Sequence, residues 1–325
     1  MAGLGGMGTV HAENAQRAAG VELVAVAAAR EGRAEELGRA LGVAYCSYAE
    51  LFTSGELDAV VLAARSVDHG PLAVEVLQSG KHLFLEKPGA TTLAEHDALL
   101  RESAARPDQV VQVGYMRRYD AAYRAMKQVV DGGELGTPLI MYSGHRNPDV
   151  PSHYTREMAI TDTAVHDIDT ARWLLGQEIV AAQVLKPRKN SLGGELEDPL
   201  LTVLETEGGA LIQIETNVNI RYGYDIRGEI VGEQGTVSLA ESTPIIVRQG
   251  GSFTGRVTQD WRERFIRAYD VEFAEWLAAI EGTGEFGPSS WDGYAAAVVS
   301  DAAIEALHSG ERVAITMADK PALYG

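Results

Sequence analysis

Short apolar runs alternate with helical stretches over roughly the first 115 residues, and that alternation leaves few folds open. The apolar runs are residues 21–27, 59–64, 82–85 and 109–114, and helix-forming stretches at 33–41, 71–78 and 93–104 separate them. Strands and helices in strict turn build a parallel sheet, because each helical crossover returns the chain in the same direction and covers a face. After about residue 120 the rhythm changes. A helix over 121–131 stops at Gly132-Gly133, and another over 161–175 stops at Gly176. Strand-like runs follow at 181–186, 200–206, 210–218, 225–231 and 236–240, with a hairpin signal at Gly208-Gly209. Helices over 261–280 and 290–307 close the chain. With 325 residues there is enough chain for two cores. The pattern predicts a doubly wound α/β domain over residues 1–118. An α+β domain with a largely antiparallel, open-faced sheet is predicted over 119–325.

At the head of the chain, Gly3, Gly5 and Gly8 have the G-x-G-x-x-G spacing of a strand-to-helix turn that cradles a dinucleotide pyrophosphate. Met7 lies within the same turn. The free N–H groups and dipole at the start of the next helix favour an anion there. Among 35 glycines such a spacing also arises by chance, so its context decides. A helical stretch over 9–19 and the strand at 21–27 follow it as a Rossmann-type domain requires. The strand that should precede Gly3, central in such a sheet, is missing. Cofactor binding is therefore expected to be weak unless residues precede Met1.

The net charge of −18 argues against nucleic acid or an anionic membrane as partner, and a well-solvated acidic surface accounts for it. A single cysteine, Cys46, excludes an internal disulfide framework and a cysteine zinc cluster. No apolar run approaches the roughly 20 residues of a membrane span, and no signal-peptide pattern opens the chain. A soluble cytoplasmic protein is expected.

Three stretches carry chemistry. Glu86-Lys87-Pro88 follows the strand at 82–85, and ligands of open α/β sheets bind beyond the carboxyl ends of the strands. Lys87 could reach a cofactor ribose or a substrate hydroxyl; it could equally be an exposed lysine in a turn. Asp162 and His166, four residues apart, would share one helical face with Asp169 and Trp173. A histidine suits proton acceptance near neutral pH, and a neighbouring carboxylate raises its basicity and orients it. The same spacing also fits a helix-terminal carboxylate beside a surface histidine. His145, His153, Asp162, His166 and Asp169 cluster in sequence but form no compact metal signature, so no metal is expected. Gly114-Tyr115-Met116-Arg117-Arg118-Tyr119-Asp120, at the domain junction, reads either as a polyol-binding stretch or as an interdomain clamp.

Taken in order, the glycine turn, Glu86-Lys87-Pro88, the 114–120 stretch and Asp162…His166 resemble the Gfo/Idh/MocA oxidoreductases. The resemblance spans essentially the whole chain after the missing first strand. His145-Arg146-Asn147-Pro148, residues 161–169 and Arg221-Tyr222-Gly223-Tyr224-Asp225 are similar to the members that oxidise inositols. The resemblance implies oxidation of a secondary hydroxyl of a cyclitol, myo-inositol to 2-keto-myo-inositol, with NAD(P)H as the reduced cofactor. Lys87 would bond the reacting hydroxyl and the nicotinamide ribose, His166 would take the proton, and Asp162 would hold the imidazole. Met116, Arg117, His145, Asn147, Thr163 and one of Tyr222 or Tyr224 would line the polyol site. The two tyrosines would share a face if they lay on a strand. Gly3, Gly5, Met7, Gly8, Arg30, His69, Glu86 and Lys87 would bind cofactor. A pyranose sugar or another inositol isomer is the rival substrate. A non-catalytic ligand sensor is the rival from another class, although such a sensor would be expected to lose Lys87 or His166. A homo-oligomer, a tetramer through the open sheet face, is also implied; Leu201, Val203, Ile212 and Ile214 suit burial there or against the domain's own helices.

Two departures matter. NAD-specific members carry an acid after the second strand, where this chain reads Ala27-Ala28-Ala29-Arg30. Losing the carboxylate removes repulsion toward a 2′-phosphate, and Arg30 can pair with one. NADP(H) is therefore expected to serve at least as well as NAD(H). Ala64-Arg65 replaces the usual Thr-Pro beyond the strand at 59–64, while His69 matches.

Overall fold

The computed structural model describes residues 1–240 and 246–325. The chain divides into two compact units. The first holds Met1–Tyr115, Tyr269–Ala297 and Ala318–Gly325; the second holds Met116–Ala268 and Val298–Met317.

In chain order the first unit carries α1 (Gly6–Arg17), β1 (Ala25–Ala27), α2 (Glu31–Leu41), β2 (Ala44–Cys46) and α3 (Tyr48–Thr53). Then come β3 (Ala59–Leu62), α4 (Ser66–Gln78), β4 (His82–Glu86), α5 (Leu93–Ala104) and β5 (Val111–Gly114). β1 pairs with β2, and β3 with β4 and β4 with β5, all parallel. The gap between β1 and β3 is where the first strand was expected to be missing, and here the expectation is corrected. Ala2 bridges in parallel to both Ala27 and Leu62. Its N–H donates to Val61 (2.8 Å), its carbonyl accepts from Ala63 (2.7 Å), and Gly3 N–H donates to Ala27 (2.9 Å). Two residues thus close one parallel sheet, because a central position offers ladder partners on both sides and burial on both faces.

Side chains alternate across that sheet. Ala25, Ala27, Val60, Leu62, Leu83 and Leu85 join one core with Phe52, Val76 and Leu99, from α3, α4 and α5. Val26, Val61 and Phe84 join the other with Ala12, Ala15 and Leu37 from α1 and α2. Phe273, Trp276 and Ala279 belong to this second core, and the Trp276 ring meets Phe84 edge-on at 5.6 Å. That packing corrects the expected boundary at 118/119. The break falls after Tyr115, and a later segment returns to the first unit because a stripe spaced three residues apart covers Val61 and Phe84. α4 begins five residues ahead of Pro71, where the sequence suggested a start, and His69 lies in the added turn.

The second unit opens with a 3-10 turn (Met116–Tyr119), then α6 (Ala121–Asp131) and β6 (Pro138–Arg146). A π-helical turn (Ala159–Ala164) runs directly into α7 (Val165–Leu175). Next are β7 (Ile179–Leu185), β8 (Leu200–Thr206), β9 (Leu211–Asn217), β10 (Asp225–Gly232), β11 (Thr236–Ser238) and the hairpin β12 (Ile246–Gln249) with β13 (Ser252–Gly255). Helices α8 (Trp261–Ile280) and α9 (Ser290–Ser309) each contribute residues to both units, and β14 (Val313–Ala314) ends the strands. The sheet order is β11-β10-β6-β9-β8-β7-β14, antiparallel except for the β6–β9 pair. Thr206 and Ala210 close the expected β8–β9 hairpin.

β6 went unread in the sequence because its inward face is mostly polar: Met141, Ser143 and His145 are buried, and Ser143 and His145 alternate with Tyr142 and Arg146 on the other face. Leu201 and Val203 do not share a face with Ile212 and Ile214. Ile212 and Ile214 are fully buried opposite Leu204 and Thr202, whereas Leu201 and Val203 stand opposite Glu215 and Gln213.

Candidate active site

The glycine turn is explained by contacts around each residue. Gly3 has φ +91°, and a Cβ there would lie 2.3 Å from the backbone of Ala63 and Ala64. A Cβ on Gly8 would lie 2.1 Å from the Gly3 carbonyl oxygen, so helix and turn touch backbone to backbone. Gly5 is different: it is the N-cap of α1, its φ of −76° suits any residue, and a Cβ would meet nothing within 4 Å. No acid occupies the first turn of α1. Gly3 and Gly8 therefore shape the turn, and Gly5 leaves its outer side open for an anionic group at the helix N-terminus. The residues fit a dinucleotide pyrophosphate. Met7 is half-buried in the same turn, and Arg30 is exposed as the N-cap of α2, three residues beyond β1.

At the end of β4, Glu86 is buried and its Oε1 lies 2.7 Å from His11 Nε2 on α1. Its other oxygen accepts the Lys87 N–H at 3.1 Å, which leaves Glu86 holding the loop. Lys87 is half-buried, and the Lys87–Pro88 peptide is cis. His69 is buried with Nδ1 2.7 Å from the Pro88 carbonyl and Nε2 3.1 Å from the Ala64 carbonyl. It ties the segment after β3 to the segment after β4. Arg65 forms a two-pronged pair with Asp68 on the surface, at 2.8 and 3.1 Å.

In the second unit the expected helix beginning near 161 is a π turn followed by α7. Asp162 lies in the wide turn and His166 in the first turn of the α-helix that follows it. Single π turns inside helices recur at functional sites because they swing side chains out of α register. Asp162 is half-buried and His166 buried. Thr163 is held through its hydroxyl, 2.6 Å from Tyr154 Oη, and Tyr154 donates to the Met158 carbonyl at 2.8 Å. Burial pushes the Tyr154 phenol above its ordinary range, and Asp162 adds to that, so it stays a hydrogen-bond donor.

Arg117 is 1 % exposed and points its Nη1 at Asp167 Oδ1, 2.5 Å away. Burial alone would raise the Asp167 carboxyl, but the Arg117 guanidinium overrides it and holds the group well below the usual carboxylate range. The Ser143 hydroxyl also donates to Asp167. Arg117 Nη2 lies 2.9 Å from His145 Nδ1, and the His145 and His166 rings stand 6.2 Å apart. Next to it in sequence, Arg118 pairs with Asp169 at 2.5 and 3.0 Å. Met116 is buried on the same 3-10 turn, and Asn147, just past β6, is half-buried with its backbone bonded to Asn217 and Ile220.

The shared face expected of Tyr222 and Tyr224 is corrected. They flank Gly223, at φ +149°, in a connection rather than a strand. Tyr224 is buried edge-on to His145 at 5.8 Å. Tyr222 is 43 % exposed on the outer side of the sheet, where its hydroxyl bonds Asp225 and accepts from Arg146 at 3.2 Å. A groove of about 430 Å³ there is lined by Tyr142, Arg146, Glu215, Asp225 and Arg227.

Sequence reasoning missed Asp167 and Ser143. The available signal was charge matching, since Arg117-Arg118 pairs residue for residue with Asp167 and Asp169. Among the described residues, no group of three or more histidine, cysteine, aspartate or glutamate side chains could hold a metal ion. No described helix is long and apolar enough to cross a membrane.

Residues 1–115 match an oxidoreductase family described as an NAD-binding Rossmann fold, and residues 127–315 match the C-terminal alpha/beta domain of that family. The chain is 43% identical over 326 residues to inositol 2-dehydrogenase 3 of Saccharopolyspora erythraea, covering 99% of this chain and 96% of that one. It is 42% identical over 275 residues to an inositol 2-dehydrogenase of Pseudomonas fluorescens, covering 84% and 82%. A crystal structure of myo-inositol dehydrogenase from Lactobacillus casei, in complex with NAD(H) and myo-inositol, aligns with a TM-score of 0.95. It is 34% identical and covers 100% of this chain and 98% of its own. The chain belongs to the Gfo/Idh/MocA oxidoreductase family, with an NAD-binding Rossmann half and the family's C-terminal α/β half.

Proposed function

We propose that this protein oxidises a secondary hydroxyl of a cyclitol, converting myo-inositol to 2-keto-myo-inositol. The observation that carries the reading is near full-length identity of 43% to an inositol 2-dehydrogenase, and Lys87, Asp162 and His166 offer the groups that such a reaction needs. Gly3, Gly5 and Gly8 would hold a dinucleotide by its pyrophosphate, and that cofactor would supply the acceptor for the carbinol hydride. His166 takes the hydroxyl proton, and Asp162 orients that imidazole and stabilises its cation. Lys87 bonds the reacting oxygen and the ribose, and its ammonium charge counts most as the alkoxide develops. His145, Asn147, Met116, Thr163 and Tyr224 contact the polyol, with Arg117 acting through His145. Gly3, Gly5, Met7 and Gly8 hold the pyrophosphate, while Glu86 and His69 shape the loops around Lys87.

We further propose that NADP(H) serves at least as well as NAD(H), since Ala28 replaces the ribose-binding acid and Arg30 is exposed beside it. A cytoplasmic homo-tetramer completes the reading, tested by light scattering on the purified protein. The deciding assay mixes the protein with myo-inositol and NAD⁺ or NADP⁺ and follows absorbance of the reduced nicotinamide. Formation supports the reading, and the ratio of the two rates reports on Arg30. No formation with cofactor still bound moves the substrate to another inositol isomer or a pyranose sugar.

A further inference from the structure

The Lys87 loop is tied down on both sides of the lysine, and one tie leads to the helix that bears the glycine turn. After Lys87, the Pro88 carbonyl lies 2.7 Å from His69 Nδ1. Before it, Glu86 folds back so that its Oε2 accepts the Lys87 N–H at 3.1 Å. The other carboxyl oxygen, Oε1, lies 2.7 Å from His11 Nε2. His11 is fully buried on α1, one helical turn beyond Gly8, with its ring 4.8 Å from Phe84 and edge-on to Tyr269 at 5.9 Å. Its Nδ1 is buried and has no hydrogen-bond partner among the described residues, so Nε2 alone joins the ring to a polar group there. β5 closes a third side. Gly114 stands opposite Glu86 in the sheet, and a Cβ there would lie 3.2 Å from the carboxyl carbon and from Oε2. The carboxyl group is thus confined by α1, β5 and the Lys87 backbone. Whichever atom carries the proton shared with His11, a buried carboxyl group deprived of this partner has to turn toward another.

We propose that His11 is a positioning residue for Lys87: it fixes the Glu86 carboxyl group, and through it the backbone from which the Lys87 ammonium is aimed. One helix then carries the pyrophosphate turn at its N-terminus and also sets the lysine that meets the reacting oxygen. The consequence for turnover rests on the polyol-dehydrogenase reading; the tether from His11 to the Lys87 N–H does not.

His11→Gln and His11→Asn test this as a pair. Both introduce a neutral amide, but the glutamine nitrogen reaches the place of Nε2, whereas the asparagine nitrogen reaches only that of the unpartnered Nδ1. The first readout is hydrogen exchange of the Lys87 amide, followed by NMR in the free protein. Exchange should be slow in the parent and in His11→Gln, and about tenfold faster in His11→Asn, while the β4 amides keep their protection. Gly114→Ala presses on the carboxyl group from β5 and leaves His11 in place. It should speed the same amide, and it stays readable if His11→Asn fails to fold. The second readout is the split between cofactor binding and turnover with myo-inositol. His11→Asn should keep the parent's affinity for NAD⁺, since the glycine turn is untouched, yet lose at least about tenfold in kcat as Lys87 shifts. His11→Gln should restore kcat. A Lys87 amide unchanged in both His11→Asn and Gly114→Ala would overturn the tether, and equal losses of kcat in the two amide variants would overturn the positioning role. If the parent does not oxidise myo-inositol, the substrate is at fault and the exchange result still decides the tether.

Discussion

Replacing the three turn glycines one at a time by alanine separates folding from cofactor binding. At Gly3 the backbone is left-handed, with φ +91°, and the added Cβ would lie 2.3 Å from the Ala63 and Ala64 backbone. The left-handed conformation costs about 1–2 kcal/mol for a residue with a Cβ. Forcing a methyl into packed backbone costs about 1–3 kcal/mol more. Gly3→Ala should therefore lose about 2–5 kcal/mol, a large share of the roughly 5–15 kcal/mol that holds a domain folded. Gly8→Ala should lose the packing share alone, about 1–3 kcal/mol, since Gly8 is helical and its Cβ would lie 2.1 Å from the Gly3 carbonyl oxygen. Gly5→Ala meets no atom within 4 Å and needs no unusual φ. Its small gain from a stiffer unfolded chain and its small loss as a poorer N-cap offset, leaving stability within about 1 kcal/mol of the parent. If a pyrophosphate packs against the Gly5 backbone, however, the new methyl stands in its place. Cofactor affinity should fall at least about tenfold, or about 1.4 kcal/mol. Urea unfolding midpoints give the first quantity and calorimetric titration with NAD⁺ the second. A Gly5→Ala protein that binds NAD⁺ as tightly as its parent would refute the assignment of this turn to the pyrophosphate.

Two further outcomes follow from single side chains. His96, buried on α5 with Nε2 3.2 Å from the Ala90 carbonyl, is pushed down to about 4 by burial. It stays neutral in the folded protein while the unfolded chain takes up a proton near pH 6.5, so its contribution is complete above that pH and lost as pH falls toward 4. The difference amounts to about 3 kcal/mol. His96→Gln should flatten the stability profile between pH 7 and 4.5 in urea titrations, and an unchanged slope would count against the neutral, buried ring. Arg30→Ala should raise KM for NADP⁺ far more than for NAD⁺, and equal effects would remove Arg30 from the 2′-phosphate site.

The order of elements was legible because each apolar run has the period of its element. β8 carries Leu200, Thr202, Leu204 and Thr206 inward at period two, and α5 opens on a Thr92–Glu95 capping box. Gly3, Gly5 and Gly8 were legible as a turn because their spacing encodes a backbone need that no side chain contradicts. β6 was not, since a strand whose inward face sets Ser143 and His145 after Met141 lacks the sustained apolar alternation that marks strands. The π turn at 159–164 was also invisible: hydrogen-bond register within a helix leaves no mark on residue spacing.

What the chain determined by itself is local. It set the alternation that calls for a parallel sheet, the glycines that turn sharply, and the presence of Lys87, Asp162 and His166. Tertiary structure decided what depends on partners far away in sequence. Met1–Ala2 takes the central place in the sheet because Ala27 and Leu62 flank Ala2. Phe273 and Trp276 belong to the first unit because they pack in one core with Phe84 and Val61. Tyr224 rather than Tyr222 stands beside His145 because Gly223 breaks the alternation. Arg117 looks like a ligand-binding arginine in sequence, but Asp167, 50 residues further along, holds it in the interior. A buried charge must find its counter-charge, and only the folded chain brings the two together.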